Sequence, residues 1–579
     1  MKKISLLIVC ILFSCTTLAA GPLLPFLPQP QGESTAADSF QLQQRFLDFE
    51  LEMGKVMDEM RALASEQAKF ENQLDAFYIT GSGFGQMRRF HITGDGKGQA
   101  KNFLGLPLWY DGVESEAQTQ GSKANQRIYL TIVGKPSEQI EVASSIIPSA
   151  VWGGSPSLRL DNVAINTNFS GFKTTAGTFW AEFSPLTLYY PKAKTWFESS
   201  YFTRVRTQWE EEQGIVGNKR KLEGLSLEYD LDNIFLQGFM SKVKDSSGNT
   251  RHRFLTGYAV NVIPFGNNLV GANWLRLADD PVSGGGSAMN AELLGLNWNW
   301  KLWRNLSTTG EVVRSQYDNS VTETVAAAED LAAWCELRWD MKDLIVQLRS
   351  LKVGPYYYAP ASQSRTYNLS DLTRFGAESS ITAMGGTVAN ADKEALPYGL
   401  ATPNRKGYQV RALYAPGGRV QAAFERTDLH QVQPTDEDGT ISQDAPRYHY
   451  VADCIGTEVD LTGLVRIGNR SFPQRKLKLA GQLEKRTRLT VDSPERFDET
   501  LVDWGFAYEL RSGWNLLLGG KNKNSDGAEH KSTVLGLEVM VSPHTTVCVS
   551  GSNIVFVDAA NSQNNYQGKV AEVSLKTYF

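Results

Sequence analysis

Two hydrophobic periods divide this chain. From Leu42 to Phe77, apolar residues recur at steps of three and four: Leu42, Phe46, Phe49, Met53, Val56, Met60, Leu63, Phe70, Leu74 and Phe77, with Gln67 the one polar member of the series. A strict 3.5-residue repeat keeps one narrow edge turned toward a partner helix. Residues 39–77 are therefore predicted to form a coiled coil, the seam running roughly 54 Å at about 1.5 Å per residue. Arg45, Glu50, Glu52, Glu59, Glu66 and Glu71 flank it and suit wet edges. A lone polar seam residue such as Gln67 sets register and oligomer state. An amphipathic helix lying on its own domain would show a broader apolar face, so Phe46, Phe49, Met53, Val56, Met60, Leu63, Gln67, Phe70 and Leu74 are read as oligomerisation residues.

Past residue 80 the period becomes two and stays so to the end of the chain, the mark of strands with a different environment on each face. One face carries Ile128, Leu130 and Ile132; Phe254, Tyr258, Val260 and Val262; Leu294, Leu296, Trp298 and Trp300; Ala333, Cys335, Leu337 and Trp339; Tyr408, Val410, Ala412 and Tyr414; Val502, Trp504, Phe506, Tyr508 and Leu510; and Leu535, Leu537, Val539 and Val541. The other carries Asn297 and Asn299, Glu336 and Arg338, Gln409 and Arg411, Lys476 and Lys478, and Glu538. A soluble sandwich alternates in the same way, but Trp and Tyr at strand ends favour a wall with lipid outside.

Short turns at Asp232 and Asn233, Trp303 to Asn305, Pro416 to Gly418, Arg511 to Gly513 and Ser542 to His544 alternate with longer polar loops such as Ser246 to Arg251, Gly284 to Ser287, Pro355 to Asn404 and Thr427 to Ala445. That asymmetry predicts an all-β transmembrane antiparallel β-barrel over residues 78–579, of 18 to 24 strands and roughly 22, preceded by the coil. About five strands precede Ala181 and roughly 17 follow Leu222. The run Trp196 to Trp209 would add one that an even count forbids, so it lies inside a long loop or a neighbouring strand is misread.

The remaining residues constrain the setting. Met1 to Ala20 reads as a secretory signal: Lys2 and Lys3, an apolar core from Ile4 to Phe13, then small residues. Leu12 to Cys15 only loosely resembles a lipoprotein cleavage box, because Phe13 is bulky there. Residues 21–38, broken by Pro22, Pro25, Pro28 and Pro30, read as an extended or disordered leader. No later stretch is long and apolar enough for a membrane helix. With 58 basic and 63 acidic residues the net charge is -5, which points away from nucleic acid as a partner. Cys335, Cys454 and Cys548, distant and odd in number, make no disulfide framework or zinc motif.

Catalytic signatures are missing. The six histidines, at 91, 252, 430, 449, 530 and 544, form no HExxH pair, and no serine sits in a GxSxG elbow. Gly81, Gly83 and Gly85 open a strand rather than a helix, so they are no nucleotide fingerprint. Asp436, Glu437, Asp438 and Gly439 supply too few oxygens for calcium and read as a solvated tip. No enzyme, metal or cofactor is expected.

Function is then sought in the lumen, which in a barrel this wide holds a water-filled channel unless something fills it. Two segments are candidates to fold inward and constrict it: Ser184 to Trp196 with Pro185, Tyr189, Tyr190 and Lys192, and Pro355 to Asn404 with Tyr356, Tyr357 and Tyr358. Glu198, Arg204 and Arg206, taken to share one face, and Glu336 with Arg338 are the pore-lining candidates, since rings of fixed charge set selectivity.

From Lys569 to Phe579, the residues Ala571, Val573, Leu575, Thr577 and Phe579 share one face. This resembles the closing strand of bacterial outer-membrane proteins, whose terminal aromatic is read by the barrel-assembly machinery. Signal, leader, coil and alternating barrel together resemble the coiled-coil-tethered trimeric porins of deep-branching bacteria and cyanobacteria, although residues 21–38 are too few for the S-layer-homology domain that many members carry. The resemblance implies a homotrimer in the outer membrane with its coil in the periplasm, touching cell wall or periplasmic components, and passive diffusion of small hydrophilic solutes and ions. The alternative is a structural tether or surface protein whose barrel is only an anchor.

Overall fold

The computed structural model describes residues 77–95, 120–151, 155–189, 197–204, 207, 217–244, 252–280, 289–319, 328–359, 361–362, 400–434, 443–462, 475–491, 493–525 and 527–579. The signal, the leader and the coil seam from Phe46 to Leu74 lie outside these residues. Phe77, which the heptad period assigns to the coil, instead opens the first strand.

Twenty-two strands are formed among the described residues: β1 (Phe77–Thr93), β2 (Gln120–Ser137), β3 (Ile140–Val151), β4 (Ser157–Phe169), β5 (Phe172–Ala181), β6 (Arg220–Leu231) and β7 (Ile234–Lys244). Next come β8 (Arg253–Val262), β9 (Leu269–Asp279), β10 (Met289–Trp303), β11 (Leu306–Asn319), β12 (Ala328–Asp340), β13 (Leu344–Val353), β14 (Arg405–Tyr414) and β15 (Val420–Gln431). The last are β16 (Arg447–Asp460), β17 (Leu477–Val491), β18 (Arg496–Arg511), β19 (Trp514–Ser525), β20 (Ala528–Ser542), β21 (Thr545–Asp558) and β22 (Tyr566–Tyr578). Each pairs antiparallel with its chain neighbour, and β1 pairs with β22, so the sheet closes. A closed antiparallel barrel leaves no unpaired edge. Among the described residues no helix is long and apolar enough to cross a membrane, which says nothing against crossing by strands.

Parity is met because none of the described residues of the run 196–209 is in a strand. The run belongs to the connection from β5 to β6, where residues 200–204 coil into a helical turn and the Thr203 amide donates to the Ser199 carbonyl at 2.9 Å. The ends of the barrel differ as their composition predicts. At one, two-residue turns dominate: Ser170 and Gly171 both take positive φ (48° and 83°), the primed-turn geometry whose twist suits a hairpin. The connection from β16 to β17, residues 461–476, is the long exception at that end.

The wall is two-sided. On β10, Leu294 and Leu296 stand 54% and 59% exposed on the outer face, while Leu293 points inward and is buried. Trp303, Trp339 and Tyr414 project outward at the short-turn end, as a girdle would. Inside, the closing seam is held by charge: the Arg88 guanidinium donates to Glu572 at 2.8 Å, directly across β1 and β22, both almost fully buried. Outside, the Gly81 amide donates to the Phe579 carbonyl at 2.8 Å, the Phe579 amide returns a bond to Gly81 at 3.0 Å, and the Phe579 ring lies where a Gly81 side chain would be. Deleting Phe579 removes both bonds, a loss of about 2 kcal/mol at roughly 1 each. The refolding yield of the detergent-folded barrel, read from heat-modifiable gel mobility, is expected to fall.

Candidate functional site

The interior is organised by the 182–219 connection, of which the described stretches 182–189 and 197–204 form a strap. It begins where Ala181 ends β5. The Phe183 amide donates to Leu188 at 2.9 Å and the Thr187 amide to Ser184 at 3.0 Å, so residues 183–188 close into a compact turn. Leu186 and Leu188 drop from that turn onto Leu255, Leu275, Leu277, Leu293 and Val313, inward apolar residues of β8 to β11. These residues break the alternation because the wall is covered on both sides here. At the strap's root, burial pushes the Glu182 carboxyl above the usual carboxylate range, against the pull of Lys219.

One carboxylate pins the turn to the wall. Glu311, fully buried on β11, accepts from Ser184 Oγ, from the Leu186 amide at 3.0 Å and from Trp334 Nε1 at 3.3 Å. Ser184 Oγ accepts in turn from Asn273 Nδ2 at 3.1 Å. A second inward segment, 354–359 with 361–362, locks over the first: Tyr357 Oη donates to the Leu186 carbonyl at 2.6 Å, Ser362 Oγ donates to the Pro185 carbonyl, and the Tyr189 amide donates to Ala361 at 3.2 Å. Pro185 and Tyr189 thus sit inside the barrel, and the two inward segments join each other rather than acting apart. Tyr190 and Lys192 lie outside the described residues.

The second stretch continues round the wall in chain order. Phe197 packs with Ile345, Leu413, Ala415 and Ala423, and its amide donates to Gln482 at 3.2 Å. The Ser199 amide points to Asp503 at 3.4 Å. Lys521 joins Glu198 at 2.7 Å and Asp503 at 3.4 Å, and its ammonium lies over the Phe202 ring at 4.6 Å from the centroid. Tyr201 Oη meets Ser550 Oγ at 3.2 Å, and Arg204 Nη1 donates to Ser574 at 3.3 Å. The strap therefore touches the inner wall from β8 round to β22.

Glycines make room for it. A Cβ on Gly505 would fall 2.1 Å from that of Ser199, one on Gly456 2.7 Å from the Phe197 ring, and one on Gly257 2.7 Å from the Phe183 ring. All three lie inside strands, where glycine is otherwise costly and marks a close approach. Gly505→Leu is expected to lift residues 197–204 off the wall and to lower stability by roughly 1–3 kcal/mol, as overpacking does. The urea midpoint and the accessibility of a cysteine placed at Thr203 measure both effects.

The sequence-predicted charges are brought together only in part. Glu198 and Arg204 are inside but do not share a face, because the helical turn sends Glu198 to β19 and Arg204 to β22; Arg206 lies outside the described residues. Arg204 borders a cavity of about 300 Å³ with Glu538, Ser574, Lys576 and Tyr578, and its Nε and Nη2 are buried without a hydrogen-bond partner among the described residues. Glu336 is held by Arg349 at 2.5 Å, and Arg338 by Asp340 at 2.8 Å, on the inner face of β12 and β13. Arg411 with Glu425 at 2.5 Å, and Arg486 with Glu484 and Glu499 at 2.6 and 3.1 Å, extend this inner lining of paired charge. Glu311, Asp503 and Lys521 were not singled out from the sequence; the only local signal was polar residues on inward positions.

No family model and no curated protein matches this sequence. Among solved structures it is similar to the outer membrane protein OprD from Pseudomonas aeruginosa, at 7% identity over 86% of this chain and 94% of that one, with a TM-score of 0.36. Pseudomonas aeruginosa OccD3 (OpdP) gives 9%, 86%, 91% and 0.37, and Acinetobacter baumannii OccAB3 gives 9%, 86%, 99% and 0.33. At these scores the likeness carries no argument, and function rests on the barrel's own geometry.

Proposed function

We propose that this chain is an outer-membrane porin, a water-filled channel for passive diffusion of small hydrophilic solutes and ions, narrowed by the strap. The observation that carries the proposal is the two-sided closed wall: apolar side chains stand out on one face, and pairs such as Arg411 with Glu425 line the other. An apolar outer band matches lipid, whereas inward ion pairs need water or each other. Glu198 and Arg204 on the strap, with Glu336 and Arg338 on the wall, set the charge preference. The short-turn end faces the periplasm, as do residues 39–76, whose heptads draw three copies together; the barrel-assembly machinery inserts the barrel by its last strand.

The test is single-channel current of the purified, detergent-folded protein in a planar bilayer. Large steps in groups of three are expected. A folded but silent barrel overturns diffusion and leaves the barrel as an anchor for a tether.

A further inference from the structure

We propose that Asp428, His430 and His449 form a binding site for a divalent first-row transition metal, zinc above all, on the outer wall. His430 and His449 are direct cross-strand partners on β15 and β16, and Asp428 stands two residues before His430 on the same face. Their rings stack at 3.9 Å between centroids and 9° between planes. Nε2 of His449 and Nε2 of His430 converge on one carboxylate oxygen, Oδ1 of Asp428, at 2.9 and 3.2 Å. One ligand atom from each residue lies within 4.8 Å of the others.

That convergence fits a metal. Zinc bonds of about 2.0–2.2 Å to nitrogen and oxygen place tetrahedral ligands roughly 3.4 Å apart, close to the 2.9 and 3.2 Å between the carboxylate oxygen and the two nitrogens, and the stacked rings swing out of parallel for both lone pairs to meet an ion. Each imidazole offers its Nε2 lone pair by carrying its proton on Nδ1. Two imidazoles and one carboxylate select zinc, cobalt, nickel or copper over magnesium and calcium, which prefer all-oxygen sites. Tyr408 Oη, 3.5 Å from Oδ2 of Asp428, steadies the carboxylate from behind.

The position is open to water. The His430 side chain is 47% exposed, which leaves a fourth coordination position for water. Outward residues lower on the two strands, Phe424 and Ile455, are apolar, and the Arg426–Asp453 ion pair at 3.3 Å divides them from the site. The three ligands therefore lie beyond the apolar band, toward the long-loop end. Among the described residues, Lys406, the cross-strand partner of His430 on β14, is the one cation paired directly with a ligand residue and holds affinity down. A bound ion ties β15 to β16 at their long-loop ends.

Cobalt chloride, titrated into the untagged full chain folded in detergent, tests the site through the visible bands of tetrahedral cobalt. One equivalent is expected to bind, to be displaced by zinc, and to resist millimolar magnesium. His430→Asn and His449→Asn, each checked for normal heat-modifiable mobility, are expected to weaken binding by roughly 100-fold or more. Lys406→Met, which leaves the ligands intact, is expected to tighten it several-fold. Absence of the bands, or unchanged affinity in both histidine variants, overturns the site.

Discussion

Replacing Glu311 by alanine is expected to release the first stretch of the strap. Ser184 Oγ, the Leu186 amide and Trp334 Nε1 all spend their protons on this one carboxylate, inside a cluster closed by Leu186, Leu188, Val313 and Tyr357. Removing the acceptor orphans buried donors at about 1–3 kcal/mol each, less whatever water enters the vacated volume. A net loss of about 3 kcal/mol is expected. The local consequence is larger, since the turn is covalently tied to the wall only at its ends. Channel current should become noisy, with fluctuations in single-channel conductance that the native protein lacks. Glu311→Gln keeps one acceptor oxygen and should fall between the two. An alanine variant with native current noise and an unchanged urea midpoint would show that the leucines alone hold the turn.

The barrel is legible in the sequence because its wall is a local property. Tyr408, Val410, Ala412 and Tyr414 point outward in the order their spacing predicts, and Gln409 and Arg411 point inward. The strand count follows from short turns such as Asp232 and Asn233, and the closing strand from the alternation up to Phe579. The strap is less legible. Residues 196–209 mix aromatic and polar side chains as a strand does, and only the wall facing them turns 200–204 into a helical turn.

Its anchors are invisible locally, since Ser184 and Glu311 are 127 residues apart and Glu198 and Lys521 are 323 apart. Two hints were available. Apolar residues on inward positions, such as Leu293 and Val313, mark covered wall, and glycines inside strands, such as Gly456 and Gly505, mark what covers it. The pairing of His430 with His449 is of the same kind: nineteen positions apart, they meet only through the register of β15 on β16.

Lys521→Met is expected to change both stability and selectivity. The ammonium is 9% exposed and stands between Glu198 and Asp503, at 3% and 1%. Without it two buried carboxylates face each other, and breaking a buried pair by removing one partner costs about 3–5 kcal/mol. The strain is relieved if Glu198 leaves, which carries residues 197–204 from the wall, or if a carboxyl takes up a proton. Raising the pH favours the first route, and the freed Glu198 adds negative charge to the lumen, so the reversal potential in a potassium chloride gradient should move toward cation preference as the pH rises. Lowering the pH favours the second route and should move it back. Adding Glu198→Gln to Lys521→Met removes one of the two opposed charges, so much of the lost stability should return. Equal urea midpoints for the single and double variants would mean that Glu198 and Lys521 are neighbours without being coupled. An unchanged reversal potential in Lys521→Met would place the charges that choose between ions elsewhere in the lumen.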